Sequence, residues 1–137
     1  MEVYFVGISA IVSCITLIYT IYVHRHSDKI IRTVNVFNQL QTSIIQDIYG
    51  MGLSYWKGLS STDDDSKLFT QYLYQLDTFC SCVLKGVYDY KTIVDISGNT
   101  FPYLYKGIVD FRPTISSADS YANFKTLSYK IDPDLDK

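Results

Sequence analysis

The chain has one Glu against thirteen Asp, two His, three Cys and three Pro in 137 residues. Each scarcity removes a class of chemistry. Because the lone Glu is Glu2, the run Asp63-Asp64-Asp65 lacks the alternate ligand spacing, turn glycine and distant bidentate Glu of a calcium loop. It reads instead as solvated acids at the positive end of a following helix. The only histidines, His24 and His26, flank Arg25 beside an apolar run, so the rest of the chain holds neither a Ser–His or Cys–His pair nor a zinc set. Cys80 and Cys82, two apart on a helical pattern, point to nearly opposite faces and read as small buried side chains. With Cys14 inside the apolar run, this usage suits a reducing compartment. Gly50-Met51-Gly52 lacks the third glycine and the preceding strand of a phosphate loop. Nine Lys/Arg scattered among twelve Asp after residue 33 leave no basic stripe, which excludes a nucleic-acid footprint. Asp77, Asp89, Asp95 and Asp110 fall on polar faces or at caps, where an acid keeps its ordinary chemistry. The expectation is a protein that is not an enzyme, with no cofactor, no metal and no small-molecule substrate.

Charge is also missing from Val3 to Val23, and that absence is the strongest positive signal. These 21 residues rise roughly 31 Å as a helix, matching the hydrocarbon core of a bilayer. Tyr4 and Phe5 at one end and Tyr19 and Tyr22 at the other fall where aromatic rings settle at membrane interfaces. Arg25, Lys29 and Arg32 come next, partly offset by Asp28, and form a basic collar. The positive-inside rule then predicts an inner (plasma) membrane protein with its N-terminus outside and its C-terminal domain cytoplasmic. A cleaved signal peptide fits less well, since a basic leader and a small-x-small site before His24 are both lacking.

The chain beyond the apolar run meets no Pro before Pro102 and no Gly before Gly50, so one helix is expected from about residue 3 to about residue 58. Alternating steps of four and three trace a seam through Ser9, Ser13, Thr16, Thr20, Val23, Ser27, Ile30, Val34, Phe37, Gln41, Ile44 and Ile48, continuing to Met51 and Tyr55. The seam is hydroxyl-bearing within the lipid and apolar beyond it. That change of chemistry suits a partner helix on one face, because close approach drives association in lipid and apolar burial drives it in water. A second copy of the chain would supply that partner, or the chain's own body would.

Residues 59–66 read as a turn, and Ser66 or Asp65 as the cap of a helix whose Phe69, Tyr72, Leu73, Leu76, Phe79, Cys80, Val83 and Val87 keep one face. Gly86 to Asp89 makes the next turn, with Asp89 capping a segment carrying Ile93, Ile96, Phe101, Leu104, Ile108 and Phe111. Gly98 and Pro102 must bend or divide that segment. Arg112-Pro113 ends it, and a last helix over 119–131 turns Tyr121, Phe124, Leu127 and Ile131 inward. No strand alternation and no repeat is present.

The expected fold class is all-α: a single transmembrane helix (1–23), a juxtamembrane long helix (24–58), a small helical domain (59–131) and a polar tail (132–137). Thirteen Tyr either fill core volume with their hydroxyls at the surface or present a partner surface. Tyr49, Tyr55, Trp56, Tyr103 and Tyr105 are the aromatic candidates for the second role. Arg112, between Phe111 and Pro113, either pairs with Asp89 or Asp110 or offers its guanidinium to a partner.

In its order of features the span from Tyr72 to Ile131 resembles bacterial and phage proteins of domain-of-unknown-function family 4760. The shared features are an aromatic-rich helix, the turn Gly86-Val87-Tyr88-Asp89, a Tyr-rich helix closing in Phe111-Arg112-Pro113, and Tyr121-x-x-Phe124-x-x-Leu127. The chain departs from the pattern at Gly98 to Pro102, where an unbroken helix is expected. The resemblance implies a small helical domain, often behind an N-terminal membrane helix, and carries over no catalytic residue. Two functions are expected: a membrane-anchored, non-catalytic adaptor or regulator, or a self-assembling membrane effector of the kind used in phage defence or superinfection exclusion. The expected partners are the lipid bilayer and either another protein or a homo-oligomer.

Overall fold

The computed structural model describes residues 2–49, 63–111, 113–117 and 119–137. The readings at Met51, Tyr55, Trp56 and Arg112 lie outside the described residues. Among those described there is no strand, and a long N-terminal helix leads into a small helical bundle.

Helix α1 spans Glu2–Leu40, passes through one π-helical turn at Gln41–Ile45, and continues as helix to Tyr49. The chain sustains this length because no Pro or Gly interrupts it between Gly7 and Gly50, and hydroxyl side chains along it bond back to its own carbonyls. Thr20 donates to the Thr16 carbonyl at 2.8 Å, and Ser43 to the Gln39 carbonyl at 2.6 Å. The π turn is where the structure departs from an unbroken α-helix. There Thr42 reaches both the Asn38 and Gln39 carbonyls, at 3.0 and 3.2 Å.

The remaining elements are α2 (Asp63–Leu84), α3 (Tyr90–Ser97), α4 (Thr100–Phe111), two 3₁₀ turns (Pro113–Ser117 and Asp119–Tyr121) and α5 (Ala122–Ile131). Helix α2 already includes Asp63, so residues 63–66 are helical backbone and neither Asp65 nor Ser66 caps it. The acid run is drawn into the helix because acids at its positive end are favourable there. Gly98, at φ +54°, divides α3 from α4 in the left-handed region that glycine enters freely. Pro102 then falls in the first turn of α4, where its missing N–H costs nothing.

Three contacts order the bundle along α1. Tyr72 donates to Asp47 at 2.8 Å, Phe79 packs on Phe37 with ring centres 6.3 Å apart, and the Asp89 amide donates to the Thr33 hydroxyl at 2.9 Å. Helix α2 is therefore antiparallel to the second half of α1, and its C-terminal end lies nearest the apolar run. Phe101 stacks on Phe79 at 5.8 Å and lies tilted against Phe37 at 6.0 Å, so one aromatic trio joins α1, α2 and α4. Helix α5 begins beside Asp77, whose carboxylate accepts from the Phe124 amide at 2.9 Å, and ends beside Tyr90, whose ring lies under the Lys130 ammonium.

Burial follows most of the apolar pattern, but Val87 and Ile96, expected on the apolar faces, are 47% and 41% exposed. Phe69, Leu73, Leu76, Phe79, Cys80, Val83, Ile93, Leu104, Ile108, Phe124 and Leu127 are all in the core. At roughly 1.5–3 kcal/mol for each large side chain, this burial outweighs any single polar contact in the fold. The segment 132–137 is not a free polar tail, because Leu135 is buried in the same core and Tyr129 donates to Asp136 at 2.6 Å. One apolar side chain among acids is enough to dock it.

Candidate functional site

Two places concentrate unusual features: the rod of α1 and a cleft between α4 and the C-terminal turn. Along α1, every residue from Glu2 to Asp28 is exposed, so Ser9, Ser13, Thr16 and Thr20 are uncovered by the rest of the chain. The seam then changes character. Ile30 and Val34 are half-buried, while Phe37, Ile44 and Ile48 are buried against the chain's own helices. For those three positions the partner is the chain's own body, and they are closed to a second copy. The buried set is also displaced from the strict seam: Thr33 and Leu40 are inside, and Gln41 is exposed. A face packed on its own fold follows the 3.6-residue period and buries Leu in preference to Gln.

The helix Glu2–Tyr49 is long and apolar enough to cross a membrane, and no part of its most apolar window is buried. Where this rod meets the body, Thr33 is fully buried and its hydroxyl bonds twice: it donates to the Lys29 carbonyl at 2.7 Å and accepts from the Asp89 amide. Asp89 in turn caps α3, accepting from the Thr92 amide at 3.0 Å and the Thr92 hydroxyl at 2.7 Å. These bonds, with Lys29 and His26 nearby, hold its carboxyl below the usual carboxylate range even though burial acts the other way. The N-cap is legible in the sequence, but the Thr33 latch, 56 residues away, is not.

The cleft has a volume of about 440 Å³ and is walled by Tyr105, Lys106, Asp110, Lys125, Tyr129 and Asp136. Tyr105 is a correction to its reading as an exposed partner anchor, since it is 2% exposed. Its ring makes edge contacts with Phe124 at 5.4 Å and Tyr129 at 6.0 Å, and these aromatic contacts outweigh exposure. Among the described residues its buried hydroxyl has no hydrogen-bond partner. Burial and the negative Asp136 push its pKa up. Tyr129 is pushed up to about 12, first by its hydrogen bond to Asp136, so it stays a protonated donor at neutral pH. Lys125 donates to the Ser116 carbonyl at 2.9 Å and closes one wall.

Tyr103, two residues from Tyr105, is 68% exposed and lines a smaller cleft with Pro102, Lys106 and Asp134. Of the aromatic candidates on the body, it is the one presented to solvent among the described residues; Tyr49, also exposed, ends α1. Cys80 is fully buried, and desolvation raises its thiol well above the usual value, so it stays a protonated core side chain. Among the described residues no group of three His, Cys, Asp or Glu is placed to hold a metal ion.

The cleft is lined by hydrogen-bond donors and by charges of both signs. Sequence reasoning misses it because its parts come from α4, α5 and the C-terminal turn. Leu135, alone among acids, is the available signal. No protein-family model matches the chain, and neither the curated proteins nor the solved structures searched give a significant likeness. The resemblance of Tyr72 to Ile131 rests on its motifs alone.

Proposed function

We propose that the protein is a single-pass membrane protein of the inner (plasma) membrane, N-terminus outside and body cytoplasmic, that acts without catalysis as an adaptor or regulator. One observation carries this reading. The same helix that leaves Val3 to Val23 exposed on every side continues without a break into the core wall formed by Phe37, Ile44 and Ile48. An all-round apolar rod is costly in water and at home in lipid, and its rigid junction fixes the body beneath the surface. The partner surface in this reading is the exposed Tyr103 with Lys106 and the adjoining clefts, an aromatic anchor beside charges of both signs.

Alkaline carbonate extraction of native membranes tests the anchor, and release of the chain into the supernatant would overturn it. A reporter fused after Lys137 tests orientation: activity only outside the cytoplasm reverses it. Affinity capture from mild detergent, with and without Tyr103→Ala, tests the surface. The expected result is a partner whose recovery falls about tenfold, the effect of a hot spot near 1.4 kcal/mol. Equal recovery from both forms would remove Tyr103 from the interface.

The effector reading keeps one specific support, the uncovered face of Ser9, Ser13, Thr16 and Thr20. It loses the lower seam, which the body occupies.

A further inference from the structure

We propose that the body makes a second contact with the bilayer, in which the turn at residues 85–91 and the end of α5 dock on anionic lipid headgroups beside the anchor. The proposal rests on the membrane-anchored reading.

The turn is placed by the Thr33 latch. Thr33 lies ten residue steps along α1 from Val23, a rise of about 15 Å. The headgroup layer takes up roughly 5–8 Å of that on each side. The remaining gap is comparable to a Debye length of about 8 Å at physiological salt, so charges on the turn feel the surface. The collar reaches the turn from the other side, because Lys29 and His26 act electrostatically on Asp89.

Charge is segregated to this end of the body. The three collar cations Arg25, Lys29 and Arg32 are joined by Lys85, Lys91 and Lys130, against Asp28, Asp89 and Asp132. In the C-terminal turn that follows Asp132, the Asp134 amide donates to Asp132 and Asp136 accepts from Tyr129; with Lys137 this end holds seven cations against five acids. With the collar this end is net positive, which an anionic leaflet attracts. All three of the acids named first have local partners: Asp89 caps α3, Asp28 lies 3.6 Å from His24, and Asp132 accepts from the Asp134 amide at 3.1 Å. Lys85, Lys91 and Lys130 are exposed, with Lys130 standing over the Tyr90 ring at 4.1 Å. At the tip of the turn Val87 leaves 47% of its surface exposed, an apolar contact flanked by lysines, which is the composition that settles at a headgroup boundary.

The test uses the full chain in nanodiscs, of phosphatidylcholine alone or with about a third phosphatidylserine, a surface charge in the range where polybasic segments bind. Benzoylphenylalanine replaces Val12, Val87 or Tyr74 in turn, and lipid adducts are counted by mass after illumination. Val12 reports the anchor, Val87 the turn, and Tyr74, exposed partway along α2, the side of the body. The expected result is adducts at 12 in both discs, adducts at 87 enriched about fivefold or more in the anionic discs, and none at 74. The double variant Lys85→Gln, Lys91→Gln abolishes that enrichment, at about fivefold per lysine near the surface. Adducts at 12 without any at 87, or at 87 equally in both discs, overturn the docking on anionic headgroups and leave the anchor standing. Absence at both 12 and 87 overturns the contact and the anchor together. A protein neighbour crosslinked at 87 in place of lipid likewise overturns the proposal.

Discussion

Thr33 has no exposed surface, and its hydroxyl both donates, to its own helix, and accepts, from the Asp89 amide. Thr33→Val keeps the shape and strands that amide, so it should cost about 1–3 kcal/mol in urea unfolding followed by circular dichroism in mild detergent. A loss near zero would mean the latch adds no stability. Asp89→Ala should cost about 0.5–2 kcal/mol through the lost cap. The pH dependence has a definite sign. The folded carboxyl titrates below its unfolded value of about 3.9, so its contribution is complete above that value and is lost as pH falls through the folded one. The gap between wild type and Asp89→Ala should be flat from pH 7 to about 5 and shrink below about 4; a gap that widened on acidification would contradict the assignment. Tyr105→Phe tests the opposite case. Its hydroxyl is buried and has no partner among the described residues, so deleting it should leave stability unchanged or raise it by about 1 kcal/mol. A loss above that size would reveal a partner for the hydroxyl.

At the level of elements, Gly98→Ala is expected to cost about 1–2 kcal/mol although a methyl group there meets no atom within 4 Å, because the penalty is in the backbone at φ +54°. Unfolding midpoints would check it, and a neutral result would mean the turn between α3 and α4 relaxes to another conformation. This division is legible in the sequence because Gly98 and Pro102 are local punctuation, readable without a partner. The start of α2 is not, for a related reason: consecutive acids read equally well as turn or as first helical turn, and local pattern does not choose. The sequence pattern puts Asp77 on a polar face, yet it accepts from the Phe124 amide and from the Asn123 side chain at 3.1 Å, capping α5 from α2. That role spans 47 positions and leaves no local trace. Tyr105 shows the same limit, since a Tyr beside an exposed Tyr103 has no signature of burial until α5 and Leu135 are laid over it.

For the molecule as a whole, the decisive question is whether α1 associates with a second copy, and the fold narrows where to ask. Phe37 lies in the core, so a cysteine there would weaken the body and reach no neighbour. Thr16 and Ser27 remain on the exposed part of the seam, one inside the apolar run and one at its edge. With Cys14→Ser removing the native thiol of the anchor, Thr16→Cys and Ser27→Cys can be oxidised separately in native membranes. Self-association along the seam brings both positions within disulfide reach of their counterparts, whose Cα atoms must approach to about 4.4–6.8 Å. The hydroxyls give little glue for this: Thr20 already bonds its own backbone at the Thr16 carbonyl, and interhelical hydrogen bonds in lipid add only about 0.6–2 kcal/mol each. The positive near end of the body adds like-charge repulsion between copies held at the same depth. The expected outcome is therefore monomer at both positions, at the yield of a control cysteine on the opposite face at Ile18. Strong dimer at Thr16 and Ser27 with none at Ile18 would replace the adaptor proposal with the self-assembling one.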